Sequence, residues 1–256
     1  MSDEEKKKLE SEESDEPEVE MSFLEHLEEL RWRILYALIG VAVGTIVAWI
    51  FIDPIIDHIL LLPAQKAEIN LQNLRPFGQL FLFFQVAFIV GAVLSVPNLF
   101  YQLWKFVSPA LKSNEKKYVT AVVSFSTICF LSGIVFAYFI MLPLTLSFAG
   151  QFGSEQIENN FAIDEYFSII ISVMLAAGLV FELPMMSFFL SKLGLITPAF
   201  LKRFRRHSIV LILLAAAILT PGTDPVAQVL LAIPLVILYE ISIFISKIFS
   251  KKSAST

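Results

Sequence analysis

The chain has 256 residues, 56% of them hydrophobic, and a mean hydropathy of +0.72, which is too apolar for a soluble domain and fits a polytopic membrane protein. The formal net charge of −5 is concentrated at one end: residues 1–20 contribute −7 and the remainder is +2. A lone cysteine, Cys129, excludes an intramolecular disulfide, and His26, His58 and His207 match no metal-ligand spacing, which argues against a structural metal or a zinc hydrolase.

Residues 1–20 hold almost no apolar side chains and read as a disordered, solvated acidic tail. A membrane domain over 21–250 follows, with a short tail at 251–256. It opens on Ser22 and Glu25, spaced as a capping box for a helix start. Phe23, Leu27, Leu30 and Ile34 then form one apolar stripe, while Glu25, Glu29 and Trp32 fall on another face with Glu28 beside them. The pattern predicts an amphipathic helix that presents carboxylates to water and enters the membrane after Arg33. Two readings of Glu29 stand together here. It can pair with Arg33 at i,i+4, contributing about 0.2–0.5 kcal/mol, or it can form a carboxylate site for a cationic ligand at the membrane surface.

The apolar run 34–52 exceeds a signal-peptide core and lacks a small-x-small exit, so it is predicted to stay as a membrane helix. At about 1.5 Å per residue it can cross roughly 30 Å of hydrocarbon. Residues 53–78, with Asp53-Pro54, Pro63 and Arg75-Pro76, read as a water-facing loop. Further spans are predicted at 79–98, at 118–140 (stopping by Pro143) and at 164–190, with polar loops at 99–117 and 144–163. The last two spans differ. Residues 208–219 and the run from Val226 to Leu238, within a span predicted over 226–245, flank the turn Thr220-Pro221-Gly222-Thr223-Asp224-Pro225. Each apolar arm measures only about 18–20 Å as a helix, so the hairpin must thin the bilayer or admit water. With both termini in the cytoplasm, 17 of the 19 Lys and Arg residues lie inside and only Lys66 and Arg75 outside. The fold class is therefore all-α, with six transmembrane helices of which the last two are short.

Glu182, in Gly178-Leu179-Val180-Phe181-Glu182-Leu183-Pro184, is the most costly side chain to insert. It lies about ten residues, or roughly 15 Å, from the cytoplasmic end of its span. A carboxylate at that depth faces a partner or a hydrated cavity, and Pro184 interrupts the helix beside it. The stretch from Pro97 through Trp104, Phe106 and Pro109 to Glu115 is rich in aromatics for a cytoplasmic loop. It supplies a second carboxylate on the membrane face that carries Glu29. Two carboxylates near aromatic rings suit guanidinium groups, which fork onto carboxylates and stack on rings.

The chain resembles the TatC family, the polytopic receptor subunit of the twin-arginine protein translocase. The resemblance rests on His26-Leu27-x-Glu29-Leu30-Arg31; Pro97 with Tyr101-Gln102-x-Trp104-x-Phe106-x-x-Pro109-x-Leu111; Glu115-Lys116; Phe136-Ala137-Tyr138-Phe139; Gly178-x-x-Phe181-Glu182-x-Pro184; Thr220-Pro221 with Asp224; Gln228; Leu230 to Pro234; and Tyr239-Glu240. The long acidic tail and the turn Pro221-Gly222-Thr223-Asp224 depart from the family pattern. The resemblance implies six helices in a concave wall in a prokaryotic inner membrane, no cofactor and no enzymatic activity. It implies a cytoplasmic site for twin-arginine signal peptides of folded precursors, with Glu29 and Glu115 as carboxylates and His26, Arg31, Trp104, Phe106 and Pro109 around them. It further implies TatA- and TatB-type single-span partners docking at Thr220, Asp224 and Gln228, a homo-oligomer within the receptor complex, and transport driven by the proton motive force.

The rival reading is a proton- or cation-coupled small-solute transporter using Glu182. Such transporters show repeated halves, whereas the interrupted span and the short hairpin both lie in the second half of this chain. An intramembrane hydrolase lacks a visible nucleophile–base pair, and nucleotide use lacks a GxxxxGK[ST] loop.

Overall fold

Helix α1 (Phe23–Ile50) is unbroken from the polar opening segment through the first apolar run. The computed structural model describes residues 23–108, 119–151, 160–192, 194, 196–219 and 225–249. The packing of α1 runs partly counter to the amphipathicity read from its sequence, although Leu30 of the apolar stripe is as sheltered as Glu29, and Glu25 and Trp32 stay exposed. Leu27 and Ile34, from the apolar stripe, are exposed, whereas His26, Glu29, Arg33, Gly40, Gly44 and Ala48 form the line turned into the protein. Lipid satisfies large apolar side chains, so the face that packs on protein is the small and polar one. Glycine is needed where α1 crosses α4 (Gly78–Leu94): a Cβ on Gly91 would run into the backbone of Thr45.

Beyond α1 the chain forms α2 (Ile52–Ile55), a π-helical turn over Ile56–Leu60, α3 (Leu62–Lys66) and β1 (Asn70–Gln72). The predicted water-facing loop is thus largely helical, and Ile56, Leu60, Pro63 and Ala64 are buried. Its polar backbone is satisfied by two tyrosines: Tyr138 Oη donates to the Ile59 carbonyl and Tyr166 Oη to the Leu60 carbonyl, each at 2.7 Å. Strand β1 pairs in parallel with β2 (Asn160–Ala162), in the register Asn70–Asn160, Leu71–Phe161 and Gln72–Ala162. Three-residue strands are too short to leave a period-two signal, so neither was predicted.

At Ser95 the axis bends by 55° between α4 and α5 (Val96–Val107). Pro97 occupies the first turn of α5, where its missing N–H is tolerated, and Ser95 Oγ donates to the Gly40 carbonyl at 2.7 Å. The aromatic stretch after Pro97, predicted as a loop, is therefore helix as far as Val107. Helix α6 (Val119–Phe136) does not end at Pro143 either. A π-helical turn over Ala137–Met141 leads into α7 (Leu142–Gln151), and this widening accommodates the proline ring.

Helices α8 (Ile163–Val180) and α9 (Leu183–Lys192) are separated by a break at Phe181–Glu182, with Pro184 in the first turn of α9. Helices α10 (Pro198–Leu219) and α11 (Pro225–Phe249) form the terminal hairpin. The short apolar arms sit inside these longer helices, because the basic segment around Arg205 belongs to α10, where Arg205 pairs with Glu240 of α11. The core gathers Leu142, Leu146, Tyr166, Phe167 and Ile170. Among the described residues three helical stretches are long and apolar enough to cross a membrane, Leu24–Ile50, Thr120–Ser147 and Ile163–Ser191, and the bent α4–α5 pair adds a fourth if its two helices count as one span. The chain is a polytopic, all-α membrane protein.

Candidate functional site

The face of α1 that turns inward carries its polar residues against α5. His26 lies flat on Phe106, with ring centroids 4.4 Å apart and planes 20° apart. One turn further, Arg33 donates from Nη2 and Nε to Glu29 Oε1 at 2.9 and 3.3 Å, and from Nη1 to Gln102 Oε1 at 3.3 Å. Gln102 Nε2 donates to Asn98 Oδ1 at 3.1 Å, and Asn98 Nδ2 to the Tyr36 carbonyl at 3.2 Å. Spacing explains the ladder. Glu29, Arg33 and Tyr36 follow one side of α1, and Asn98, Gln102 and Phe106 follow one side of α5 at four-residue intervals.

The Glu29 and Arg33 side chains are only 17% and 18% exposed, so this pair is far better sheltered than a surface ion pair. The carboxylate is nevertheless incompletely satisfied: Glu29 Oε2 is buried with no hydrogen-bond partner among the described residues. A buried carboxylate oxygen without a donor is costly, and the chemistry that relieves it is a second hydrogen-bond donor. The arrangement is thus a guanidinium-binding carboxylate at the membrane entry, with one oxygen in use and one spare. Of the two sequence readings of Glu29, the i,i+4 pair with Arg33 is the one observed.

Other expected site residues are placed differently. Arg31 and Glu28 are exposed, and Trp32 is exposed and stacked on Tyr36 rather than beside the Glu29 carboxylate. Trp104 is buried, edge-on to Phe189 at 4.3 Å and clustered with Val122, Val123 and Met185. It supports α5 from behind and offers no free face for stacking. Pro109, Glu115, Thr220 and Asp224 lie outside the described residues. Gln228 Nε2 donates to the Leu213 carbonyl at 2.9 Å, tying the two arms of the hairpin together. Sequence reasoning missed Asn98 and Gln102 as members of the site. Their four-residue spacing was the available signal, hidden because the stretch was read as a loop.

Glu182 forms a separate polar point inside the protein. It is 9% exposed and sits at the α8–α9 break, where its N–H reaches the Leu179 carbonyl at 3.1 Å. Its carboxyl faces Ser126 and the Phe130 backbone of α6. Its Oε1 is buried without a partner among the described residues. From the start of α6 at Val119 to Ser126 is about 10 Å of helix, so the carboxyl lies about two turns along an apolar helix. Among the described residues no group of three or more His, Cys, Asp and Glu is arranged to hold a metal ion.

Comparison with known proteins finds matches along nearly the whole chain. The model of the family "Sec-independent protein translocase protein (TatC)" matches residues 25–234. A TatC protein of Carboxydothermus hydrogenoformans is 36% identical over 235 residues, covering 92% of this chain and 96% of its own. One from Aquifex aeolicus is 38% identical over 236 residues, covering 91% and 97%. A crystal structure of the twin arginine translocase receptor TatC superposes with a TM-score of 0.78 at 37% identity, covering 88% of this chain and all of that one. With the helical architecture and these matches together, this chain belongs to the TatC family of Sec-independent protein translocase proteins.

Proposed function

We propose that the chain is the receptor subunit of a twin-arginine translocase, binding the arginine-pair signal peptides of folded precursors at its cytoplasmic face. The observation that carries this reading is Glu29, a sheltered carboxylate at the membrane entry that already holds a guanidinium and keeps a spare oxygen. A planar guanidinium forks onto a carboxylate where an ammonium cannot. Glu115 is the second carboxylate of the clamp, and His26 with Phe106 forms an aromatic wall beside Glu29.

The chain works as a translocation component with six spans and both termini in the cytoplasm of a prokaryotic inner membrane. Support for the orientation comes from the 17 of 19 cationic residues it places inside. TatA- and TatB-type single-span subunits dock at the hairpin around Thr220, Asp224 and Gln228, several copies of the chain assemble in one receptor complex, and the proton motive force drives export. The solute-transporter reading is not favoured, because the family match covers residues 25–234 and the interrupted span and the hairpin both lie in the second half of the chain. The test is photo-crosslinking of an arginine-pair signal peptide to purified protein. Crosslinks concentrated at 26–33 and 98–117 are expected, and labelling spread evenly over the surface would sink the receptor reading.

A further inference from the structure

We infer that Arg33 is a specificity-determining residue: it occupies Glu29 as an internal stand-in for the ligand's arginine, so that recognition is an exchange of one guanidinium for another. The inference rests on the receptor reading above and extends it to a residue that the sequence pattern treats as a simple helix-pair partner.

Three features of the geometry carry it. Arg33 directs both Nη2 and Nε at the same oxygen, Glu29 Oε1, and does not make the two-oxygen fork that is the strongest guanidinium–carboxylate arrangement. The second oxygen, Oε2, is buried and has no partner among the described residues. A peptide arginine therefore cannot fork onto the carboxylate until Arg33 releases it, and can make a better pair once it has. Arg33 also has somewhere to go, because Nη1 is already hydrogen-bonded to Gln102 Oε1, which Asn98 and the Tyr36 carbonyl hold in line. A displaced Arg33 keeps a hydrogen bond on α5 and is not left as a bare charge.

The consequence is discrimination by a competitor. Every cationic ligand that approaches Glu29 meets the charge of Arg33, and one that engages both oxygens must displace it. An arginine recovers that cost with two parallel hydrogen bonds to Glu29, while a lysine ammonium, a hydrated point charge, recovers less. An unoccupied Glu29 would attract both through the same charge. Arg33 thus turns a general cation attraction into a preference for the planar group, an element built against the wrong ligand as well as for the right one.

The experiment compares full-length wild-type, Arg33→Gln and Arg33→Lys proteins in detergent micelles, with Lys105→Gln as a charge-matched control on α5. Affinities for an arginine-pair and a lysine-pair signal peptide are measured alongside thermal unfolding. Arg33→Gln is expected to bind both peptides more tightly and the lysine peptide by the larger factor, lowering the arginine-to-lysine affinity ratio about three- to tenfold. Arg33→Lys should fall between wild type and Arg33→Gln, and it decides alone if Arg33→Gln does not fold. Lys105→Gln should leave the ratio unchanged. Weaker arginine-peptide binding by a normally folded Arg33→Gln would show that Arg33 orients Glu29, and overturns the exchange. So does an unchanged ratio, or an equal drop in Lys105→Gln, which would mean bulk charge. If wild type binds neither peptide, or Glu29→Ala binds as wild type does, the receptor reading itself fails and this inference falls with it.

Discussion

Tyr166 and Leu60, 106 positions apart in the chain, are joined at the end of the molecule remote from Glu29: the fully buried phenol donates to the Leu60 carbonyl at 2.7 Å and accepts from the Ala64 N–H at 3.1 Å. The π-helical turn Ile56–Leu60 leaves backbone groups that the helix itself does not satisfy. One side chain from α8 satisfies a carbonyl and an N–H there, and so fastens the segment after α1 to the core.

Tyr166→Phe removes the donor and orphans the Ala64 N–H, so it should destabilise the protein by about 1–3 kcal/mol. Tyr138→Phe, whose partly exposed hydroxyl bonds only the Ile59 carbonyl, should cost less. Thermal unfolding in detergent measures both, and equal midpoints for wild type and Tyr166→Phe would contradict the assignment.

Gly91→Ala is expected to loosen the α1–α4 crossing. The added methyl meets Thr45 backbone, which cannot rotate away as a side chain would, so a loss of about 1–3 kcal/mol follows from overpacking. Gly150→Ala is the control, since its new Cβ would lie at an ordinary 3.6 Å from Ile69. A Gly91→Ala protein as stable as the Gly150→Ala protein would show that the two helices can separate freely.

For Glu182, Glu182→Ala should leave membrane insertion and signal-peptide binding largely intact while impairing export. The reason is placement: the carboxyl lies at the α8–α9 break beside Ser126, away from the α1–α5 junction, and a carboxylate within an apolar span is a functional candidate because of its insertion cost. Export assays with a folded precursor, paired with a peptide-binding measurement, separate the two steps. Normal export would make Glu182 a packing residue.

Recognition itself is tested by removing the two carboxylates. Glu29→Ala and Glu115→Ala should each weaken binding of an arginine-pair peptide, and the double variant should nearly abolish it. Glu28→Ala should do far less, because Glu28 is exposed and an exposed ion pair contributes only about 0.2–1 kcal/mol. Titrations at low and moderate salt should show the Glu28 effect screened and the Glu29 effect retained. Unchanged affinity in the double variant excludes the clamp.

The class of protein was legible before any contact was known. Long apolar runs force helices that satisfy their own backbone in lipid, and the Lys and Arg bias marks one side of the membrane. Glu182 stood out for the same reason: a carboxylate inside an apolar run is costly wherever that run folds. Glu29 was visible as a candidate from its place just before the first span. What the linear pattern could not decide was which way α1 faces. A period of 3.6 residues shows that two faces differ, but water and lipid reward opposite ones, and only packing against α4 and α5 turned the small, polar face of His26, Glu29, Arg33 and Gly44 inward. The contact between Arg33 and Gln102 spans 69 positions, and the pairing of β1 with β2 spans 90. Such relationships depend on how helices cross, and that is set by the shapes of side chains meeting in three dimensions rather than by any local period.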